Sequence, residues 1–274
     1  LAHRIRERLS ALGRSRLATD AAHPIPAVDA FTQPTVATYN AFASSLYRDN
    51  AVLMGRDPDG TVLGAAAAWQ LARGIVARAT DERLADHDLS VDRVTTAVLD
   101  LAHALTEHLV DAADVRALLD DFAGVVDLPA GGKGAYADVD KLVDALAPTT
   151  PLLDLAADFA ARKHRDGLIE FSDQVALALA LVDRHPEVAE ALRSRYRVVL
   201  LDEYQDTNVA QTRLLAALFA GTPVMAVGDP HQSIYGWRGA SATNLDDFAM
   251  RFTVDGRSSV DRYALSTSWR NGTA

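Results

Sequence analysis

Asp202 and Glu203 are neighbouring carboxylates that follow an apolar run in "YRVVLLDE" (196–203). Phosphoryl transfer from a nucleotide needs one group to hold Mg²⁺ near the phosphates and another to orient the attacking water. Side chains of neighbouring strand residues point to opposite faces of a sheet, so this pair could divide those two tasks. An ordinary polar strand end would show the same residues, and the pair alone leaves both interpretations open.

A second polar stretch, "GDPHQSIYGWRGA" (228–240), follows the next apolar run. The amide of Gln232 could bind a terminal phosphate oxygen, and Tyr235 and Trp237 lie in a glycine-flanked loop beside Arg238. Exposed aromatic rings beside an arginine can grip single-stranded nucleic acid by stacking on its bases, at about 1–3 kcal/mol per base. The alternative is that both rings pack beneath the loop.

Trp269 and Arg270 lie in a third stretch, "LSTSWRN" (265–271). From a strand end, an arginine could reach across a cleft to a γ-phosphate, and an indole could cover a nucleobase. A surface arginine is the simpler interpretation of this position taken by itself.

Short strands are the elements that would position these residues. Four apolar runs that end in polar residues predict strands buried on both faces of a parallel sheet, whose ligands bind at the carboxyl ends of the strands. The runs are "TVATY" (35–39), "YRVVLLDE" (196–203), "PVMAVGD" (223–229) and "RYALSTS" (262–268). Between the second and third runs, the capping-box pair Asn208 and Gln211 begins a predicted helix, which implies a right-handed crossover.

The middle of the chain, residues 46–195, has helical periodicity and almost no β-branched runs. Within "VTTAVLDLAHALTEHLV" (94–110), five apolar residues fall on one helical face: Val94, Val98, Leu101, Leu105 and Leu109. We therefore predict an α/β fold with a parallel sheet, formed by residues 1–45 and 196–274 and interrupted by an all-helical insertion over 46–195.

Composition narrows the classes of protein. Of the 274 residues, 49% are hydrophobic and 23% are charged, which is typical of a soluble globular protein. No apolar run approaches the roughly 20 residues that cross a bilayer, no secretory signal is visible, and there is no cysteine for a disulfide or a thiolate metal site. We expect a cytoplasmic protein without a membrane partner. Because the net charge is −10, nucleic-acid binding would need a local groove.

The three polar stretches together resemble motifs II, III and IV of the UvrD/Rep/PcrA-type DNA helicases of superfamily 1A. The matching segments, in the family's order and spacing, are "LLDEYQDT", "AVGDPHQSIYGWRGA" and "LSTSWRN". Two further segments, "VATYNAFASSLYR" (36–48) and "GLIEFSDQV" (167–175), also resemble stretches of this family. The resemblance implies a RecA-like parallel sheet of the P-loop NTPase type, with the helical middle corresponding to the family's inserted 1B subdomain.

By this resemblance, Asp202 coordinates Mg²⁺ and Glu203 activates the water that attacks the γ-phosphate of ATP. Gln232 senses that phosphate, Arg270 acts as an arginine finger, and Trp269 lies near the adenine. Where the family usually has Asn-Tyr-Arg, this chain has Ser-Trp-Arg at 268–270.

On the DNA side, the resemblance implies that Tyr235 and Trp237 contact single-stranded bases and that Arg238 links their loop to the nucleotide site. Tyr39 and Asn40 are expected to lie on the DNA path, where the family usually has Phe-His.

The phosphate-binding pattern G-x-x-x-x-G-K-[ST] is absent from the 274 residues. In the family this loop lies upstream, and "LAHRIRERL" (1–9) resembles a helix that follows it. We therefore expect the chain to begin after that loop and to end before the second RecA-like domain of the same full-length protein. Alone, it should bind ATP poorly and hydrolyse none, and its sheet should have a gap or an exposed edge.

The resemblance implies the motor part of an ATP-dependent 3′-to-5′ translocase or helicase in DNA repair or recombination, acting on single-stranded DNA and at junctions between single-stranded and double-stranded DNA. One alternative is the motor of a helicase–nuclease subunit, particularly of the actinobacterial type, that resects double-strand breaks together with a partner subunit. Another is a non-catalytic DNA-binding scaffold, which would have no need of Glu203, Gln232 and Arg270 together.

Overall fold

The chain divides into two compact units, Leu1–Phe42 and Ala43–Ala274. The structure, a computed structural model, describes residues 4, 7, 8, 11, 34–79, 90–127, 137–233, 244–253 and 260–264. In the first unit, residues 34–38 have no regular structure and a helix begins at Tyr39. The second unit contains the strands and most of the described helices.

Helices account for most of the regular structure in the described part of the chain, and none of them combines the length and apolar character needed to cross a bilayer. They are α1 (Tyr39–Asn50), α2 (Ala65–Val76), α3 (Val91–His108), α4 (Ala112–Ala123), α5 (Ala137–Leu146), α6 (Thr149–Arg165), α7 (Phe171–Arg184), α8 (Pro186–Arg195), α9 (Val209–Phe219) and α10 (Phe248–Phe252). Polar residues cap several of them: the Ser90 hydroxyl accepts a hydrogen bond from the Arg93 amide, and the Asp111 carboxylate accepts one from the Ala113 amide. Such caps satisfy amides that have no partner within the helix.

A hydrophobic core lies between α2, α3 and α6, and small residues on α2 allow the helices to approach closely. The buried side chains of this core are Ala68, Ala72, Val76, Val94, Val98, Leu99, Ala102, Leu155, Ala156 and Phe159. The apolar stripe predicted on α3 is largely confirmed, because Val94 and Val98 are buried and Leu101 and Leu105 pack against the core. Leu109 differs, since it ends the helix in a left-handed conformation with φ 55°.

Two short parallel strand pairs complete the fold of the second unit. β1 (Thr61–Val62) pairs with β2 (Leu168–Ile169), and β3 (Val199–Leu201) pairs with β4 (Val224–Ala226). Helix α9 connects β3 to β4 along the chain and packs against α7 and α3. The strands predicted within 196–203 and 223–229, and the helix between them, are therefore confirmed.

The capping box predicted at the start of α9 is also confirmed. The Asn208 side chain accepts from the Gln211 amide at 2.9 Å, and the Gln211 side chain accepts from the Asn208 amide at 3.0 Å. The apolar stripe of this helix is buried, with Leu214, Leu215 and Leu218 each at most 5% exposed. Gly221 then adopts φ 79° after the helix has ended.

The strand predicted over residues 35–39 is wrong. Residues 35–38 are irregular, and Tyr39 is the first residue of α1. The Thr38 hydroxyl accepts a hydrogen bond from the Ala41 amide at 3.2 Å, and the Thr38 carbonyl accepts one from the Phe42 amide. Threonine favours both strands and helix N-termini, and here it starts a helix. A further strand was predicted over residues 262–268. Residues 262–264 are not in a strand, and residues 265–268 lie outside the described residues.

Two further expectations need correction. The region 46–195 is not all-helical, because β1 and β2 lie within it; two-residue strands are too short to produce a visible periodicity. The strands β3 and β4 are not buried on both faces either, since Leu200 is 68% exposed and Met225 is 55% exposed. The β3–β4 sheet thus presents an open apolar face in the described part of the chain.

Candidate active site

The chain turns sharply immediately after β3. The strand ends at Leu201. The next two residues, Asp202 and Glu203, are exposed, and a 3₁₀ turn follows over Tyr204–Asp206. Glu203 has a left-handed backbone with φ 51° and ψ 40°. The expectation that the two carboxylates alternate across a strand is therefore wrong, because both residues belong to the turn.

Backbone hydrogen bonds join this turn to the segment after β4. The Val227 amide donates to the Leu201 carbonyl at 2.8 Å, and the Tyr204 amide donates to the Val227 carbonyl at 3.0 Å. The fully buried Tyr204 ring packs edge-to-face on Phe248 and Phe252 of α10, with centroids 5.7 and 6.2 Å apart. These contacts fix the turn that carries Glu203.

A neutral polar cluster supports the same turn from inside. The Thr207 hydroxyl donates to the Tyr204 carbonyl at 2.6 Å. The buried Asn244 donates from its amide to the Thr207 carbonyl at 2.7 Å and to the Thr207 hydroxyl oxygen at 3.0 Å. Buried polar groups with such partners specify one geometry for the turn.

A second turn follows β4 and is organised by Asp229. Its carboxylate accepts from the His231 amide at 2.9 Å and from the Gln232 side-chain amide at 2.8 Å. These two hydrogen bonds lower the pKa of Asp229, and the one from the His231 backbone amide contributes more than the one from the Gln232 side chain. Gln232 itself is exposed at the end of a 3₁₀ turn over Pro230–Gln232.

The buried Gln205 side chain connects the two turns. Its Nε2 donates to Glu203 Oε2 at 2.8 Å, and its Oε1 accepts from the Asp229 backbone amide at 3.2 Å. Its backbone carbonyl also accepts from the Ser233 hydroxyl at 3.5 Å. Gly228 makes room for this amide, because a Cβ at position 228 would lie 2.2 Å from Gln205 Oε1.

Three of the residues predicted to act on the nucleotide therefore lie on two joined turns. Asp202, Glu203 and Gln232 follow the carboxyl ends of adjacent parallel strands, the position at which ligands of such sheets bind. Tyr39 and Asn40 are the first two residues of α1 and belong to the first compact unit. The other predicted residues, Tyr235, Trp237, Arg238, Trp269 and Arg270, lie outside the described residues.

The sequence interpretation missed the residues that join the turns. Gln205, Gly228 and Asp229 lie inside the quoted motifs, but no role was predicted for them. The sequence shows Gln205 only as a polar residue in the motif, and its burial to 1% exposure becomes visible only in the fold. A buried glutamine needs specific partners, and these are 24 residues away in sequence.

Magnesium is compatible with the residues at the end of β3. No group of three or more metal-binding side chains that could hold an ion occurs among the described residues. Mg²⁺ is usually held by one or two carboxylates together with substrate phosphates and water, so a single exposed carboxylate such as Asp202 fits that ion.

Comparison with known proteins identifies the family. A family model described as the UvrD/REP helicase N-terminal domain matches residues 1–253. The chain belongs to this family. Membership implies a RecA-like helicase fold, with which the mostly helical structure and its small parallel sheets are consistent. The family resemblance is thereby confirmed, and the matched residues include the first two of the three motifs.

Curated relatives of the chain carry a more specific name. The chain is 33% identical over 147 residues to an ATP-dependent helicase/nuclease subunit of Staphylococcus aureus strain JH9, and equally to that of strain JH1. The match covers 49% of this chain and 12% of each relative. The matched segment is thus a small part of those longer proteins.

Proposed function

We propose that this chain is the ATP-hydrolysing motor portion of a 3′-to-5′ single-stranded DNA translocase or helicase in DNA repair or recombination. The observation that carries the proposal is the junction of the two turns after β3 and β4, which holds Glu203 beside the segment that ends in Gln232. Family membership supports ATP as the nucleotide and DNA as the track.

In the proposed mechanism, Asp202 would hold Mg²⁺, which would supply positive charge beside the phosphates. Glu203 orients a water molecule and accepts its proton, because its exposed carboxylate lies at the end of β3. The Gln232 side-chain amide, which donates to Asp229 in this structure, would turn to the terminal phosphate oxygen when ATP is bound. Arg270 would stabilise charge on that phosphate, and Trp269 would lie against the adenine.

The remaining parts of the motor are assigned on the resemblance. Residues 1–45 and 196–274 would form the RecA-like domain, and 46–195 the inserted 1B subdomain. Tyr39, Asn40, Tyr235, Trp237 and Arg238 would contact DNA, including its single-to-double-strand junctions. A second RecA-like domain in the full-length protein would close over the nucleotide, and the protein would act in the cytoplasm.

ATP hydrolysis by the full-length protein, with and without single-stranded DNA, tests the proposal. We expect DNA-stimulated turnover that Glu203→Gln lowers by about 100-fold or more while ATP binding persists, because the substitution removes the proton acceptor. Glu190→Gln, at an exposed position on α8, is the matched control and should turn over normally. Single-strand binding without any turnover would instead support the scaffold alternative.

A helicase–nuclease subunit that resects double-strand breaks is the second candidate. The observation that favours it is the likeness to proteins named as subunits of an ATP-dependent helicase/nuclease, a name that also indicates a partner subunit for those relatives. Incubation of the full-length protein with linear double-stranded DNA, ATP and Mg²⁺ distinguishes the two. ATP-dependent shortening of the DNA would support the nuclease-linked motor, whereas unwinding without strand loss would support a helicase alone.

A further inference from the structure

We propose that Gln205 is a positioning residue that holds the Glu203 carboxylate and ties it to the turn that leads from β4 into the region 234–243. This inference rests on the proposed function, in which Glu203 acts on the attacking water. Gln205 touches neither nucleotide nor DNA in this scheme and acts through Glu203.

The Gln205 side-chain amide makes two hydrogen bonds. It is 1% exposed, and it uses its donor on Glu203 Oε2 and its acceptor on the Asp229 amide. The two contacts fix the amide plane, because exchanging its nitrogen and oxygen would place donor against donor at Asp229. A carboxylate that accepts from a fixed amide has a fixed direction.

The space around the Gln205 amide depends on a glycine. Gly228 precedes Asp229, and a Cβ there would approach Gln205 Oε1 to 2.2 Å and Leu245 Cδ1 to 3.2 Å. The backbone of Gly228 is not in the left-handed region, so glycine is required for room rather than for conformation. The turn after β4 is therefore shaped to receive the side chain of Gln205.

Residues 229–233 link the Gln205 amide to the segment that precedes the loop assigned to DNA. Asp229, whose amide donates to Gln205, holds the Gln232 side chain through its carboxylate. Ser233, the last described residue before 234–243, donates to the Gln205 carbonyl. A shift of residues 229–233 would move the Gln205 amide and with it the Glu203 carboxylate. Gln205 thus couples the loop assigned to DNA with the group that acts on water.

Gln205→Met in the full-length protein tests the role directly, since methionine has a similar length and makes neither bond. We expect kcat with single-stranded DNA to fall by about 10–100-fold, the range typical of partners that orient an active group, while the KM for ATP changes by less than about 3-fold. The ratio of rates with and without DNA should fall as well. Gln70→Met, at an exposed site on α2, is the matched control.

Gly228→Ala provides an independent variant that leaves Gln205 in place. Its new methyl group meets the flexible end of Gln205, so the amide must move while the backbone can stay. We expect kcat to fall by about 3–10-fold with an unchanged KM. Gly124→Ala is the control, because a Cβ at position 124 has no atom within 4 Å.

A double variant separates positioning from simple support of the fold. Adding Gln205→Met to Glu203→Gln should lower kcat by less than about 3-fold, since the residues act as one unit. A full additional loss would overturn the inference, as would Gln205→Met and Gly228→Ala enzymes with wild-type kcat. If the Gln205→Met protein fails to fold, the kcat of the Gly228→Ala protein alone tests the inference. Wild-type protein without ATP turnover, or an active Glu203→Gln variant, would overturn the proposed function and this inference with it.

Discussion

Between α6 and α7, a lysine and a glutamate, Lys163 and Glu170, are buried together, whereas the side chains buried beside the ends of β3 and β4 include the neutral Gln205, Thr207 and Asn244. Lys163 of α6 is 6% exposed and donates to Glu170 at 2.6 Å and to Asp173 at 2.8 Å, at the start of α7. His103 of α3 completes this ionic network through Glu170 at 2.9 Å. In the strand-end turns, amides and hydroxyls are buried and the carboxylates of Asp202 and Glu203 are exposed.

The difference separates charges that build the fold from charges that remain accessible. In the helical region, Glu170 and Asp173 use their oxygens on Lys163 and on the capping box of α7. In the strand-end turns, Gln205 and Asn244 hold the backbone and one carboxylate oxygen without supplying a counter-charge. A carboxylate held by a neutral amide remains exposed to a ligand or a water molecule.

Lys163→Met is the substitution with the largest expected effect on this contrast. It leaves two nearly buried carboxylates without their cation, so we expect the free energy of unfolding to fall by about 3–5 kcal/mol, measured by urea denaturation. Lys141→Met, at a side chain that is 78% exposed, should change it by less than about 0.5 kcal/mol. A loss below about 1 kcal/mol at Lys163 would show that the network contributes little to the fold.

Asn244→Ala tests the neutral cluster and should have a smaller effect. The substitution leaves the buried Thr207 carbonyl without its donor, at a cost of about 1–3 kcal/mol. Because the loss is local, hydrogen exchange should accelerate at residues 204–207 before it does so in the α2–α3–α6 core. Uniform acceleration across both regions would contradict a separate role for the cluster.

Asn208→Ala removes the side-chain acceptor that begins α9, the helix between β3 and β4. We expect a loss of about 1 kcal/mol in the free energy of unfolding, because the Gln211 amide loses its partner. Asn208→Ser retains an oxygen acceptor and should stay within about 0.5 kcal/mol of the parent. Equal losses from both substitutions would point to packing rather than to capping.

The smallest expected effect is a dependence of stability on pH in the ionic network. The hydrogen bond to Glu170 raises the pKa of His103 above its usual 6.5, although burial opposes the change. Burial alone would raise the pKa of Glu170, but hydrogen bonds from His103 and Lys163 outweigh it and lower the value below the usual 4.5.

These directions define the pH window. The His103 contribution is complete below about pH 6.5 and is lost as the pH rises through the higher folded pKa. The Glu170 contribution is complete above about pH 4.5 and is lost as the pH falls through the lower folded pKa. Thermal melts should therefore show the largest contribution of the pair between these values. His103→Gln should remove the alkaline decline, and an unchanged decline would assign it to other groups.

The sequence predicted those elements whose signals are local. The segment β3–α9–β4 is marked by apolar runs and by Asn208 and Gln211 three residues apart, and each signal depends on near neighbours. The first strand was predicted wrongly because Thr38 is equally suited to begin a helix. Short strands such as β1 carried no periodic signal at all.

The location of the candidate site was predictable, but its construction was not. Residue types left the roles of Asp202, Glu203 and Gln232 open, and the resemblance to the family assigned them; the structure places all three on the joined turns after β3 and β4. The bridge through Gln205 was not predicted, since its partner Asp229 is 24 residues away and its role depends on burial. The left-handed backbone of Glu203 was also unpredictable, because glutamate has no preference for that conformation.

That left-handed backbone has a consequence for engineering. An L-residue other than glycine adopts this conformation at a cost of about 1–2 kcal/mol, whereas glycine adopts it freely. Glycine at position 203 would relieve this strain, but it would also leave the buried Gln205 amide without its acceptor. It would remove the carboxylate on which the proposed chemistry depends as well, so stability and turnover have to be selected together at this residue.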